Sequence, residues 1–174
     1  MRFLLIVFAL ALAPSVAAQH DDHHHPASPY ANETSRSIKA LSAADQAGLL
    51  EGRGMGLARA AELNGYPGPL HALELADALS LSPEQRAATE AVRATMLAEA
   101  QALGAQVVEV EGHLDALFSE GRASDAQVDR MTGHLGALQG RLRAVHLRAH
   151  IALVDVLTPE QRAAYDRLRG YTSE

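Results

Sequence analysis

Two histidines, His146 and His150, stand four residues apart. On a helix that spacing puts both imidazoles on one face, one turn apart, where they can share a metal ion. No Glu follows His146, so the His-Glu-x-x-His arrangement of a zinc protease is absent. The densest set of ligands is His20, His23, His24 and His25 with Asp21 and Asp22. Neutral imidazoles above about pH 6.5 would bind borderline divalent ions there, weakly, because an unstructured segment must first be ordered. His113 with Met131 and His134 forms a third candidate cluster, and His71 and Glu74 lie one helical turn apart. The His146/His150 and His71/Glu74 pairs each have a plain alternative as polar helix surface. Gly52-Arg53-Gly54-Met55-Gly56 lacks the Lys-Ser/Thr ending of a phosphate loop and any strand before it, so it reads as a flexible linker. The chain has no cysteine, no Gly-x-Ser-x-Gly elbow and no paired acidic motif. Thiolate chemistry and cysteine-based zinc sites are therefore excluded. The expectation is a protein that is not an enzyme, has no catalytic residues and requires no cofactor, with a transition metal (Zn, Cu, Ni or Co) as the open option.

Helices must position these side chains. Ser82, Pro83 and Glu84 form a helix start whose apolar stripe, Val92, Met96, Leu103, Val107, Val110, Leu114 and Leu117, runs at three-and-four spacing to about Glu120. After a break at Gly121-Arg122-Ala123, a second stripe follows from Ser124: Val128, Met131, Leu135, Leu138, Leu142, Val145, Ala149, Ala152 and Val156. So short a connection makes the two helices antiparallel neighbours. That pairing sets Met96 and Glu99 level with His146 and His150, and the resulting imidazole, carboxylate and thioether set suits Cu, Ni, Co or Zn. Thr158-Pro159 starts a final helix to about Arg169. Upstream, short helices are expected from Ser42 to Glu51, capped with Asp45, from Met55 to Leu63, and from Leu70 to Leu79. Leu147, Ile151 and Val154 fall outside the seam and need a cover, either the short helices or a second copy of the chain. Gly104, Gly112, Gly133, Gly136 and Gly140 each cost about 1 kcal/mol against Ala in a helix, a cost that close backbone approach along the hairpin would repay.

Arg2, the apolar run from Phe3 to Ala13, Pro14 and the small exit Val16-Ala17-Ala18 read as a secretory signal peptide over residues 1–18. The run is too short to span a bilayer as an anchor, and no later segment is apolar enough to do so. Residues 19–41, rich in histidine, proline and polar side chains, are expected to be a disordered tail, and residues 42–174 a single all-helical domain. The chain carries a net charge of −6, and all but one of its 15 basic residues are arginines scattered among carboxylates. Nucleic acid, which needs clustered positive charge, is not an expected partner.

One octapeptide occurs twice. Leu81-Ser82-Pro83-Glu84-Gln85-Arg86-Ala87-Ala88 returns as Leu157-Thr158-Pro159-Glu160-Gln161-Arg162-Ala163-Ala164, with Thr for Ser as the single difference. Each copy holds a hydroxyl cap, a proline at the first helical position, an acid in the first turn and a leucine ahead of the cap. With the signal peptide and the helical hairpin, the pair resembles the Spy/CpxP family of periplasmic proteins, which comprises LTxxQ-motif chaperones and related heavy-metal resistance and sensor proteins. The resemblance covers about Leu70 to Gly170. It implies an all-α fold built on a long antiparallel helical hairpin, often dimeric, in the periplasm, to which the residues themselves add the short N-terminal helices and a C-terminal helix. It further implies ATP-independent binding of unfolded protein clients in envelope stress, with metal sensing or resistance as the alternative and a membrane sensor protein as another partner class. The chain differs from the family's chaperones in being acidic, and the glycine-rich helices from Ser42 to Leu79 lie outside the minimal pattern.

Overall fold

The two octapeptides start two helices by the same chemistry. In the computed structural model, which describes residues 27–172, Pro83–Ser119 forms helix α4 and Pro159–Leu168 forms helix α6. Ser82 Oγ accepts the Gln85 N–H at 3.2 Å while Gln85 Oε1 accepts the Ser82 N–H at 3.1 Å. Thr158 and Gln161 repeat the arrangement at 3.2 and 2.9 Å. Both are capping boxes, so the otherwise orphaned N–H groups of each first turn are satisfied.

The two glutamines then meet. Gln85 Nε2 donates to Gln161 Oε1 at 2.8 Å, and Gln161 Nε2 donates to Gln85 Oε1 at 2.9 Å. Their remaining amide hydrogens go to the carbonyls of Val156 at 2.9 Å and Leu79 at 3.3 Å. A primary amide offers two donors and two acceptor sites, and here every one is used. The repeated motif thus ties four chain segments together: the starts of α4 and α6, the end of the helix before α6, and the turn before α4.

That preceding helix is α5, Asp125–Val156, which runs antiparallel to α4. Leu103, Val107, Leu135, Leu138, Leu142 and Val145 form the seam, as the three-and-four stripes require. A second apolar cluster sits at the motif end, where Leu153, Leu157 and Tyr165 bury Ala72, Ala76, Leu79 and Leu81. Helix α1, Ala43–Leu50, starts at a Ser42–Asp45 capping box and lies on α4. Contact there is so close that a Cβ on Gly104 would sit 2.0 Å from the Leu49 carbonyl oxygen.

The other helical glycines behave differently from expectation. A Cβ on Gly133, Gly136 or Gly140 would meet nothing within 4 Å, and one on Gly112 would only touch the Ile38 side chain at 3.6 Å. Close approach occurs against α1, not between the hairpin arms.

The middle helices are shorter than the apolar spacing predicts. Helix α2 is Arg59–Glu62 and helix α3 is Pro69–Glu74. Gly52, Met55, Gly56 and Gly65 have φ of 68°, 45°, 79° and 78°, left-handed values that stop a right-handed helix. Ser80, at φ 50°, likewise ends the turns after α3. The expected tail also needs correction. Residues 33–41 belong to the same packed unit as the helices. The Lys39 N–H donates to Asp115 Oδ1 on α4 at 2.9 Å, and Ile38 lies against Gly112. Ile38 and Leu41 give this stretch an apolar grip that the histidine-rich part lacks. Residues 1–18 and His20 to His25 lie outside the described residues. Among the described residues, no helix is long and apolar enough to cross a membrane.

Candidate functional site

His146 and His150 occupy one face of α5, as their spacing requires, but that face is covered. Both are buried, at 3% and 8% exposure, so they are not surface histidines. The glycine-rich segment from Gly52 to Gly56, helix α2 and the Tyr66-Pro67-Gly68-Pro69 turn close over them. Between these segments and the hairpin lies a cleft of about 710 Å³, with His146, His150, Met55, Met96 and Leu97 among its walls.

The two imidazoles are held differently. His150 Nδ1 lies 2.8 Å from the Tyr66 carbonyl oxygen, which can only accept, so Nδ1 carries a proton and donates it. The same nitrogen is 3.5 Å from Glu62 Oε2. Gly68 makes this possible, because a Cβ there would stand 3.0 Å from His150 Cε1 and 3.1 Å from Glu62 Oε2. His146 Nε2 is buried and has no hydrogen-bond partner among the described residues. Burial, with the neighbouring His150 second, holds the His146 imidazole below its ordinary pKa, so it is neutral at pH 7.

Glu62 is the anchor of the site. Its Oε1 accepts the hydroxyl hydrogens of Tyr165 at 2.6 Å and Tyr171 at 2.9 Å, and Arg169 Nε stands 3.5 Å away. Tyr165 is fully buried and in turn accepts the Gly68 N–H at 3.2 Å. Burial first, and then the bond to Glu62, pushes its phenol pKa up, so it remains a donor across the working range. Through these bonds the C-terminal segment fixes helix α2 and the Gly68 turn over α5.

The sequence-derived ligand set is only partly assembled. Met96 lines the cleft with His146 and His150, but Glu99 does not. Glu99 opens onto a separate recess of about 350 Å³ with Val145, Arg148 and Ala149, where Arg148 Nη2 lies 3.9 Å from its carboxylate. Glu99 is level with the histidines, yet on the other flank of the seam. His113, Met131 and His134 do share a recess near the hairpin tip, of about 370 Å³, with Arg130 among them. His71 Nδ1 and Glu74 Oε2 are 2.9 Å apart on exposed surface. Among the described residues, no three His, Asp or Glu side chains converge to hold a metal ion. His20, His23, His24 and His25 lie outside the described residues.

Sequence reasoning passed over Glu62, Gly68, Tyr165, Arg169 and Tyr171. One signal was available. The chain has only 4 tyrosines, and two of them lie in the last helix and just after it, where a buried hydroxyl must find a partner.

Comparison with curated proteins and with solved structures finds no match. A family model described as "LTXXQ motif family protein" matches residues 70–169, from helix α3 to the end of α6. That range contains both Leu-Ser/Thr-x-x-Gln helix starts and the whole hairpin they lock, in keeping with the Spy/CpxP-type resemblance, and the chain belongs to the LTXXQ motif family.

Proposed function

We propose that this chain is a periplasmic, ATP-independent binding protein of the Spy/CpxP type that holds unfolded polypeptide clients on an apolar face of α5. The observation that supports this is the fate of Leu147, Ile151 and Val154. They recur at i, i+4 and i+7, one helical face. The short helices lie over His146 and His150 and leave Ile151 open. Ile151 remains 55% exposed, with Leu147 and Val154 half-buried beside it. Ile151 is the exposed member of this face, and the two half-buried side chains beside it extend the apolar surface that a client would meet. Export rests on the signal-peptide reading of residues 1–18, and the client-binding role on family membership.

The test is suppression of aggregation. Purified protein at a few equivalents should keep a denaturant-unfolded client soluble on dilution, and Ile151→Glu with Leu147→Glu should abolish the effect while leaving the helical content intact. Full protection by the double variant would remove the face from the account. No protection by the unaltered protein would remove the function.

Transition-metal binding is the second reading, supported by His146 Nε2, which has no partner among the described residues, and by Met96, which lines the cleft with His146 and His150. His146, His150 and Met96 would hold the ion, and the His150 Nδ1–H bond to a backbone carbonyl is the kind of outer contact that orients a ligating imidazole. Titration of the full chain with Cu, Zn, Ni and Co should then show a site that His146→Ala with His150→Ala removes. Unchanged titrations would sink it.

A further inference from the structure

We infer that the cleft beside α5 is a binding site for an amphipathic anion: an apolar carbon chain ending in a carboxylate. This rests neither on the client face of α5 nor on a bound metal.

Charge is the first argument. Four arginines and two glutamates line the cleft. Arg53 pairs with Glu51 at 3.1 Å and Arg169 with Glu62 at 3.5 Å. The Arg59 and Arg93 guanidinium groups have no counter-ion and no hydrogen bond among the described residues. The cleft therefore carries two unneutralised positive charges in a chain whose net charge is −6. Guanidinium groups match a carboxylate in shape as well as in sign, since two N–H bonds can reach its two oxygens. The same charges disfavour an organic cation, which forms no coordination bond to offset the repulsion.

The walls supply the second argument. Met55, Leu63, Leu70, Met96 and Leu97 line the space, and Met55, Leu63 and Leu70 are 48%, 57% and 43% exposed, an apolar surface suited to a carbon chain. Thioethers adapt to irregular apolar guests. A volume of about 710 Å³ lies in the ordinary range for small-molecule sites.

The floor and roof complete it. His146 is buried and forms part of the floor, with Nδ1 the ring atom nearest the Gly54 roof. The roof is Gly52, Gly54 and Gly56, where missing side chains keep the space open. A Cβ on Gly56 would come within 2.9 Å of Arg59 Nη2, so that glycine lets the guanidinium lie across the mouth.

The experiment is calorimetric titration of the full chain with sodium dodecanoate below its micelle concentration, beside dodecyltrimethylammonium chloride as a cation of matched chain. Dodecanoate should saturate one site and bind at least about tenfold tighter than the cation. Arg59→Gln with Arg93→Gln should erase that preference. Equal affinity for the two probes on the unaltered protein would overturn the inference, and so would an unchanged dodecanoate affinity in the double variant. The comparison of probes needs no variant to fold. Ile151→Glu should leave dodecanoate binding intact, so loss of this site and loss of the α5 client face read out separately.

Discussion

Replacing Gly104 by Ala should destabilise the protein, while the same replacement at Gly133, Gly136 and Gly140 should stabilise it. All four glycines sit inside long helices, where Ala is favoured by about 1 kcal/mol on propensity alone. At the three α5 positions nothing lies within 4 Å of the new Cβ, so propensity acts unopposed. The triple variant should gain about 3 kcal/mol if the sites add, and at about 2–4 °C per kcal/mol its midpoint should rise by about 6–12 °C. At Gly104 the Cβ would lie 2.0 Å from the Leu49 carbonyl oxygen and 2.6 Å from its carbon. These are main-chain atoms, so no side chain can rotate away and α1 must withdraw by about an ångström. Leu49 would leave its contacts with Ala100, Leu103 and Val107. Overpacking of this kind costs up to about 3 kcal/mol, and after the propensity gain about 2 kcal/mol of loss remains, or about 4–8 °C. Thermal unfolding followed by circular dichroism measures all of these variants. A Gly104→Ala protein as stable as the parent would refute the packing of α1, and a triple variant without gain would refute the open surface of α5.

Gln85→Ala and Gln161→Ala should each cost about 1–2 kcal/mol in urea unfolding, and the double variant less than their sum, because both remove the same pair of amide bonds. Strict additivity would mean that the glutamines act only as separate caps. Tyr165→Phe should cost about 1–3 kcal/mol without loss of helical signal, since the half-buried Glu62 carboxylate and the buried Gly68 N–H both lose a partner; an unchanged midpoint would leave only the ring of Tyr165 with a role. Burial keeps the folded His146 pKa below the unfolded value of about 6.5, so the unfolded chain takes up its proton first as pH falls. Stability from this residue is complete above that pH and declines below it; His146→Leu should flatten that slope, and an unaltered slope in urea midpoints between pH 7 and pH 5 would contradict the burial.

The hairpin was legible because long helices repeat one signal many times. Leu103, Val107, Leu135, Leu138, Leu142 and Val145 follow the spacing and all are buried. The short helices were overextended for the opposite reason. Between Gly52 and Gly65 the apolar spacing is compatible with a helix, but a few left-handed residues decide the path, and Met55 at φ 45° carries no sequence mark of that conformation. The doubled motif was legible as two caps, yet not as a lock. Nothing local says that Gln85 and Gln161, 76 residues apart, exchange their amides.

The cleft was harder to read still, because its walls come from the loop before α2, the turn before α3, one face of each hairpin arm and the segment after α6. Spacing along a single helix found the pair His146 and His150. Level placement across the seam found Met96, and then failed for Glu99, because level fixes height along a helix and not the side of it. Glu62, Tyr165 and Tyr171 meet through bonds spanning 103 and 109 residues, a separation over which no pattern in one sequence speaks. This division bears on function. The residues that define the family close one end of the hairpin and are spent on each other, whereas Arg59, Arg53 and Met55 lie ahead of the matched range that begins at residue 70. Family membership therefore fixes the scaffold, and the anion preference inferred for the cleft is expected to depend on the segments laid over it, Arg59 among them. A chimera that keeps residues 70–169 and exchanges residues 42–69 should retain the fold and its Gln85–Gln161 lock while losing the preference for dodecanoate over its cationic counterpart. Retention of that preference, measured by the same titration, would place the selectivity in the hairpin and refute the division.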